Sequence, residues 1–215
     1  MNIQDNVLKH YLQNVYFVTG TPCGGKSVTA RTLGKQYGIR VYDVDEEFDR
    51  HRAASEPRFQ PSMNWRFRDA DEFFTRSVEE YGDCLRQNTR EQLDFILLDL
   101  IRMSADGPVL CDGHLSLAQA EALSEPGRVA FLLRDPHDLA EEYRRRPDHQ
   151  DFNAFLLSAS DPEAAKRTVN ETLLALNEAA YHAVKESSFF WLERSPDRSV
   201  EETAALVAAH FGLTE

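Results

Sequence analysis

The chain has 215 residues, a length that buries a full core and favours one domain with an elaborated substrate side over two independent domains. Its 36 Asp and Glu residues outnumber its 24 Lys and Arg residues, and the net charge of −12 argues against general affinity for nucleic acid or anionic membranes. The three cysteines lack metal-ligand spacing, and neither an apolar signal core nor a stretch of membrane length is present, so we expect a cytoplasmic protein with reduced thiols.

The first predicted elements are a short helix, a strand, a second helix and a second strand. The first helix lies within residues 2 to 14, and one of its sides should cover the core with Ile3, Val7, Leu8, Tyr11 and Leu12. Residues 15–18 form a short apolar run that is typical of a buried parallel strand. The next helix runs to Tyr37, where Gly38 stops it, and residues 39–42 form the second strand.

Between the first strand and the second helix, the sequence matches the pattern G-x-x-x-x-G-K-[ST] at every position. The stretch reads Gly20-Thr21-Pro22-Cys23-Gly24-Gly25-Lys26-Ser27, followed by Val28. Glycines let several backbone N–H groups turn toward one anion, and the helix N-terminus adds partial positive charge at that point. We therefore predict that this stretch binds the phosphates of ATP, with Lys26 on the β and γ phosphates and the Ser27 hydroxyl on Mg²⁺. The alternative is a glycine-rich turn before an ordinary helix.

Cys23 lies inside this loop, where positive backbone dipoles favour a reactive thiolate. We favour the simpler interpretation that a small side chain is tolerated among the glycines.

The middle of the chain combines a proline-containing loop with a long helical stretch. Residues 55–65 contain large side chains without a periodic face, a pattern typical of loops that line sites: Phe59, Met63 and Trp65. From Asp69 to about Ser104 the apolar spacing predicts helix, with a kink or break at Gly82 or Asn88.

Three further strands and four helix starts follow. The strands are predicted at residues 108–111, 128–133 and 189–192. The helix starts are indicated by Ser116 with Gln119, Asp135 with Pro136, Asp161 with Pro162, and Ser199 with Glu202. The helix from Pro162 should extend to about Glu186, and the last helix should bury Ala204, Leu206, Val207 and Phe211. Alternating strands and helices predict an α/β fold with a five-stranded parallel sheet that helices cover on both faces.

Ligands of such a sheet bind at the carboxyl ends of its strands, and three aspartates fall there. Asp43 and Asp45 follow the second strand, where a carboxylate can serve Mg²⁺ or accept a proton from a substrate hydroxyl. The alternative is that one of them only caps the next helix. Asp112 closes the third strand and is a further candidate for the metal, although an ordinary Asp-Gly turn also explains it. Residues 195–198 follow the fifth strand and could border the adenine.

Arginines supply the candidate phosphate and substrate contacts outside the loop. A lid arginine that stabilises the transferring phosphoryl group should be one of Arg144, Arg145 and Arg146, which otherwise form a solvated helix end. Arg66 and Arg68 are candidates for an anionic group of the substrate, unless they pair with the acidic residues that follow them. Gly113 and His114 follow Asp112 and are further candidates for contacting the substrate.

With the glycine loop, Asp43-x-Asp45 after the second strand and an arginine-bearing segment before a long helix, the chain resembles the P-loop small-molecule kinases. The resemblance is to shikimate-kinase-like and nucleoside-monophosphate-kinase-like proteins, and it implies a P-loop NTPase three-layer sandwich. In shikimate-kinase-like enzymes the two aspartates serve Mg²⁺ and the substrate hydroxyl. The chain departs from that pattern after the third strand, where Asp112-Gly113-His114 replaces a glycine run. Adenylate-kinase-like proteins do have Asp-Gly here, but their following Pro-Arg is missing.

The leading hypothesis is an ATP-dependent phosphotransferase that acts on a small hydroxyl-bearing metabolite. Mg²⁺ would be held by Ser27 and Asp43, the acceptor hydroxyl by Asp45, and the γ-phosphate by Arg145 or a neighbour, with Arg144 also near the nucleotide. Within a single domain, the core would comprise about 15–47, 105–134 and 187–215, the acceptor side about 48–104 and a mobile lid about 135–165. The alternatives are a nucleoside monophosphate kinase and a non-catalytic ATP-binding regulator, and either a monomer or a homodimer is compatible with the sequence.

Overall fold

The structure is a computed structural model that describes residues 3–146 and 149–214. Its strands are β1 (Val15–Gly20), β2 (Arg40–Asp43), β3 (Val109–Asp112), β4 (Val129–Leu133) and β5 (Phe190–Glu193). They form one five-stranded sheet in the order β2-β3-β1-β4-β5, and every pairing in it is parallel. The predicted α/β fold with a five-stranded parallel sheet is confirmed, and each strand lies within two residues of its predicted bounds.

The helices connect these strands and extend well beyond them. They are α1 (Asp5–Tyr11), α2 (Lys26–Tyr37), α3 (Phe48–Ala54), α4 (Pro61–Asn64), α5 (Ala70–Phe74), α6 (Val78–Ser104), α7 (Leu117–Leu123), α8 (Pro136–Arg145), α9 (Gln150–Leu157), α10 (Pro162–Glu186) and α11 (Val200–Phe211). The predicted helix starts are confirmed, because capping boxes form at Ser116 and Ser199, and the Asp135 and Asp161 carboxylates accept backbone N–H groups of the first turns. None of the described helices is both long and apolar enough to cross a membrane.

The sheet is held by apolar packing on both of its faces. Every residue of β3 and β4 is buried, which requires cover on each side of these central strands. On one face, a buried cluster joins strand residues to α2 and α11, and it includes Val18, Leu33, Leu110, Leu132 and Val207. This packing fixes the carboxyl end of β1 next to the start of α2, where the glycine loop lies.

The chain divides into two compact units. The first unit consists of Met1–Phe48, Asp94–Arg134 and Ala180–Glu215 and contains the whole sheet. The second consists of Asp49–Leu93 and Asp135–Ala179. Its own core contains Phe74, Tyr81, Leu156, Val169 and Leu173, with further aromatic rings packed around them. The predicted lid segment falls within the second unit, and the predicted acceptor segment is divided between the two.

Three details of the sequence interpretation are wrong. Of the apolar side predicted for the first helix, only Leu12, the residue after α1, is buried as predicted; Ile3, Val7 and Tyr11 are 58%, 39% and 57% exposed, and Leu8 is half-buried. The helical stretch after Asp69 breaks between Phe74 and Val78, whereas Gly82 and Asn88 lie inside the continuous helix α6. Leu206 of α11 is 44% exposed, while Ala204, Val207 and Phe211 are buried as predicted.

The break before α6 has a local cause. The Ser77 hydroxyl accepts the N–H of Glu80 at 3.2 Å, and the Glu80 carboxylate accepts the N–H of Ser77 at 2.9 Å. This reciprocal pair starts a new helix at Val78 and satisfies the N–H groups of its first turn. Gly82, by contrast, continues the helix, and a Cβ there would make close contacts of 3.3 Å with the side chains of Arg86 and Leu176.

Candidate active site

The glycine loop connects β1 to α2 and lies against the backbone of β4. A Cβ at Gly20 or at Gly24 would lie 2.1 or 2.2 Å from the carbonyl oxygen of Leu132, a distance that no side chain can occupy. These two glycines therefore allow the loop to approach the end of the central strand. The loop's position is set by β1 and β4, which are neighbours in the sheet.

The loop curls because three of its residues have positive φ, among them Gly20 at its start with φ of +124°. Cys23 has φ of +58°, and Gly25, which precedes the first turn of α2, has φ of +93°. Left-handed and right-handed residues in succession turn consecutive N–H groups toward one point, and the N-terminus of a helix adds partial positive charge there. This is the geometry that an anion such as a phosphate needs.

Lys26 is the first residue of α2, and its side chain folds back onto the loop. Although it is charged, Lys26 is only 7% exposed, and its Nζ donates a 2.9 Å hydrogen bond to the carbonyl oxygen of Thr21. Thr21 is itself fixed, because its Oγ accepts the backbone N–H of Arg134 at 2.6 Å. The ammonium group is therefore positioned inside the curl of the loop.

Ser27, Lys26 and Asp112 meet at the carboxyl end of β3. Asp112 is only 4% exposed, and its carboxylate accepts a hydrogen bond from the Ser27 hydroxyl. Burial raises the pKa of the Asp112 carboxyl, the Ser27 hydrogen bond and the Lys26 charge act in the opposite direction, and the carboxylates of Asp43 and Asp45 raise it further. The net direction is upward, because burial outweighs the effects of Ser27 and Lys26.

Asp43 and Asp45, predicted to share the metal and substrate roles, differ in their surroundings. One Asp43 oxygen accepts the N–H groups of Asp45 at 3.1 Å and Glu46 at 3.4 Å, and the other accepts a 2.9 Å hydrogen bond from Arg31. Asp43 thus caps the turn after β2, in line with the alternative in which one of the two aspartates has a capping role. The neighbouring Asp45 is exposed.

The segment after β3 is fixed by contacts to β1. The N–H of Gly113 donates to the carbonyl of Val18 at 3.3 Å, and the N–H of Leu115 donates to the Thr19 hydroxyl at 2.8 Å. Gly113 is buried, and a Cβ there would lie 2.7 Å from the side chain of Val44. His114, between these fixed residues, is exposed. The backbone bonds place Asp112 firmly and leave the His114 side chain at the surface.

A cavity of about 150 Å³ lies beside the glycine loop within the first unit. Its lining includes Gly24, Gly25 and Val28 from the loop and α2, and Arg194, Ser195 and Arg198 from the segment after β5. The sequence suggests residues 195–198 as a border for adenine, and Ser195 and Arg198 do line this cavity.

Arg134 and Arg194, which contact the loop, were not predicted. Besides the bond from the Arg134 N–H to Thr21, Nη1 of Arg194 donates a 3.0 Å hydrogen bond to the carbonyl of Cys23. Both arginines directly follow a strand, β4 or β5. Their place at the carboxyl edge of the sheet was the available signal, but neither forms part of a recognisable motif.

The remaining predicted arginines belong to the second unit. Within α8, Nε of Arg144 donates to the Ala140 carbonyl at 3.1 Å, and Arg145 forms an ion pair with Glu141. Arg68 forms a 3.1 Å ion pair with Glu72, the alternative considered for it, and Arg66 is exposed. Residues 147 and 148 of the predicted lid segment lie outside the described residues.

The oxygen donors at the sheet edge suit a hard divalent cation such as Mg²⁺, which prefers carboxylate, hydroxyl and phosphate oxygens. Within residues 3–146 and 149–214, no three His, Cys, Asp or Glu side chains converge so as to hold a metal by themselves. A metal at this edge would take most of its ligands from phosphates and water, with Ser27 and Asp112 nearest to the loop.

No protein-family model and no curated protein matches the chain. Solved structures do match: a shikimate kinase from Acinetobacter baumannii in complex with shikimate is 19% identical, covers 93% of each chain and has a TM-score of 0.46. A dephospho-CoA kinase from Campylobacter jejuni is 14% identical over 92% of this chain and 97% of that chain, with a TM-score of 0.44. TT1252 from Thermus thermophilus is 16% identical over 94% of this chain and 98% of that chain, with a TM-score of 0.51.

The likeness to TT1252 shows a shared fold, and the two likenesses with lower TM-scores support no further conclusion. The all-parallel strand order β2-β3-β1-β4-β5, with a glycine-rich loop after β1, is typical of the P-loop NTPase fold. This agrees with the resemblance inferred from the sequence motifs.

Proposed function

We propose that the chain is a cytoplasmic ATP-dependent phosphotransferase that moves the γ-phosphoryl group to a hydroxyl of a small metabolite. The observation that supports this best is the meeting of Lys26, Ser27 and Asp112 at one end of the curled glycine loop. A positive charge, a hydroxyl and a buried carboxylate at a helix N-terminus provide what a magnesium-bound triphosphate requires.

In this proposal the loop N–H groups and Lys26 bind the phosphates. Lys26 donates to the Thr21 carbonyl, and this hydrogen bond would be exchanged for one to a β or γ phosphate oxygen. Mg²⁺ would be held by Ser27, with Asp112 and Asp43 in its surroundings, and when bound it neutralises charge on the phosphates. Because the ammonium group is already buried beside the loop, the Lys26 side chain loses little conformational freedom when the nucleotide binds.

The acceptor hydroxyl would approach Asp45, the exposed carboxylate two residues after β2. The oxygen of the acceptor hydroxyl attacks the γ-phosphorus, and the bond from that phosphorus to the bridging oxygen of ADP breaks. The hydroxyl proton passes to the Asp45 carboxylate. An arginine among Arg144, Arg145 and Arg146 would stabilise the charge on the transferring group. Arg66, Arg68, Gly113 and His114 are the candidate contacts for the acceptor.

A screen of mixed metabolites tests this proposal. Purified protein is incubated with Mg²⁺, ATP and a metabolite mixture, and mass spectrometry identifies compounds that gain one phosphoryl group. Compounds that gain it with the wild-type protein and not with Lys26→Ala support the proposal. Saturation by ATP without any transferred group would instead favour a nucleotide-sensing protein, and transfer to nucleoside monophosphates alone would favour a nucleotide kinase.

A further inference from the structure

We propose that Arg194 is a positioning residue for the glycine loop, and that its guanidinium keeps the peptide between Cys23 and Gly24 in the orientation that phosphate binding needs. This inference rests on the proposed nucleotide-binding function. It concerns a residue outside the loop motif, separated from Cys23 by 171 positions in the chain.

Arg194 is held at the edge of the sheet by its own backbone. Its N–H donates a 2.8 Å hydrogen bond to the carbonyl of Leu133, the last residue of β4, so the chain continues the parallel pairing one residue beyond β5. From this fixed point Nη1 reaches the Cys23 carbonyl oxygen at 3.0 Å. A hydrogen bond from a charged donor such as a guanidinium is stronger than one from a neutral donor.

The bonded peptide is the one at which the loop turns. Cys23 has φ of +58°, a left-handed conformation that residues with a side chain rarely adopt. The next N–H, that of Gly24, donates to the Thr21 carbonyl at 3.3 Å. In a trans peptide the C=O and the following N–H point in opposite directions, so fixing the Cys23 carbonyl on Arg194 also fixes the Gly24 N–H on the Thr21 carbonyl, the same carbonyl that accepts Lys26 Nζ.

Arg194 also lines the cavity beside Gly24, Gly25 and Val28. A ligand that extends from the loop into this cavity would touch the same side chain that holds the loop. Loss of ATP affinity in an Arg194 variant therefore has two possible origins, a displaced loop or a lost contact to the nucleoside part. Inorganic tripolyphosphate separates them, because it carries the phosphates without base or ribose.

The experiment compares Arg194→Gln with wild type by titration calorimetry, using ATP and tripolyphosphate, each with Mg²⁺. We expect the affinity for both ligands to fall by a similar factor of roughly ten, as the loss of one charge-assisted hydrogen bond predicts. The matched control is Arg40→Gln. The Arg40 guanidinium also donates to a backbone carbonyl, that of Met103, but Arg40 is the first residue of β2 and lies at the amino end of that strand, whereas the glycine loop lies at the carboxyl end of β1. This control should bind both ligands as wild type does.

Arg194→Lys retains a charged donor and should lose less affinity than Arg194→Gln for both ligands. It replaces Arg194→Gln in the comparison if the glutamine variant melts well below Arg40→Gln. Unchanged tripolyphosphate affinity in the Arg194 variants, with or without weaker ATP binding, would overturn the positioning role alone. A wild-type protein that binds neither ligand would overturn the proposed nucleotide site, and this inference with it.

Discussion

Asp43 of β2 and Asp112 of β3 are directly paired in the parallel register, so two carboxylates end neighbouring strands at the same edge of the sheet. Their surroundings differ in a way that separates their roles. Asp43 accepts hydrogen bonds from Arg31 and from the turn after β2, whereas Asp112 is buried beside Ser27 and Lys26. The buried member is therefore the one whose charge most needs a cation.

We predict that Asp112→Asn changes how stability depends on pH. Because burial raises the pKa of Asp112 in the folded protein, the folded state binds more protons than the unfolded state between the ordinary carboxyl pKa and the raised one. The free energy of unfolding of wild type should therefore fall, relative to the variant, as pH rises through that interval. Urea denaturation at a series of pH values from about 4 upward measures this.

The matched control for this test is Asp106→Asn, since Asp106 is exposed near the amino end of β3. It should follow wild type at each pH. Curves for Asp112→Asn that run parallel to wild type across the whole series would contradict the assigned burial effect. With Mg²⁺ and ATP present, the variant should also gain less stability than wild type, because it lacks a carboxylate near the phosphates.

Gly24→Ala should destabilise the protein by about 2 kcal/mol or more, because the added carbon meets backbone that cannot rotate away. The added methyl carbon would lie 2.2 Å from the carbonyl oxygen of Leu132. Gly127→Ala is the control, since no atom lies within 4 Å of its added carbon and its φ is not left-handed. Chemical denaturation of both variants gives the comparison, and equal stabilities would show that the loop moves freely away from β4.

Thr21→Val should cost about 1–3 kcal/mol of stability, since it leaves the Arg134 N–H without its 2.6 Å acceptor in a buried place. The replacement is nearly isosteric, so the loss reports the hydroxyl rather than the volume. Thr21→Ser keeps the hydroxyl and should lie much closer to wild type. Thermal melts of the three proteins decide the matter, and a serine variant as unstable as the valine one would argue against the hydrogen bond.

The sheet was predictable because its central strands are buried on both faces and therefore read as continuous apolar runs. All five residues of Val129–Leu133 are buried, and no helix-period pattern competes with them. The connection before α6 was misjudged because Gly82 was weighted as a helix breaker. The Ser77-x-x-Glu80 capping box was the better signal, and Gly82 lies inside α6, where a Cβ would make a close contact of 3.3 Å with Leu176 of α10.

In the candidate site, local motifs were predictable and contacts between distant segments were not. The loop, its lysine and the aspartates at the strand ends follow from spacing and strand order. Arg134 and Arg194 contact the loop across 113 and 171 positions, one of them through its backbone N–H, which every residue except proline has. Helix α9 was also missed; its N-cap residue His149 makes no side-chain cap hydrogen bond, and its buried Leu156 contributes to the core of the second unit.

Calorimetric titration of the wild-type protein with MgATP tests the central claim most directly, with Lys26→Ala and Lys35→Ala measured beside it. Lys35 is an exposed lysine in the last turn of the same helix, so its variant controls for the loss of a positive charge on α2. We predict saturable binding at one site for wild type and Lys35→Ala, and no measurable binding for Lys26→Ala. Absence of binding to wild type, or equal binding to Lys26→Ala, would contradict the assignment of residues 20–27 as a nucleotide phosphate site.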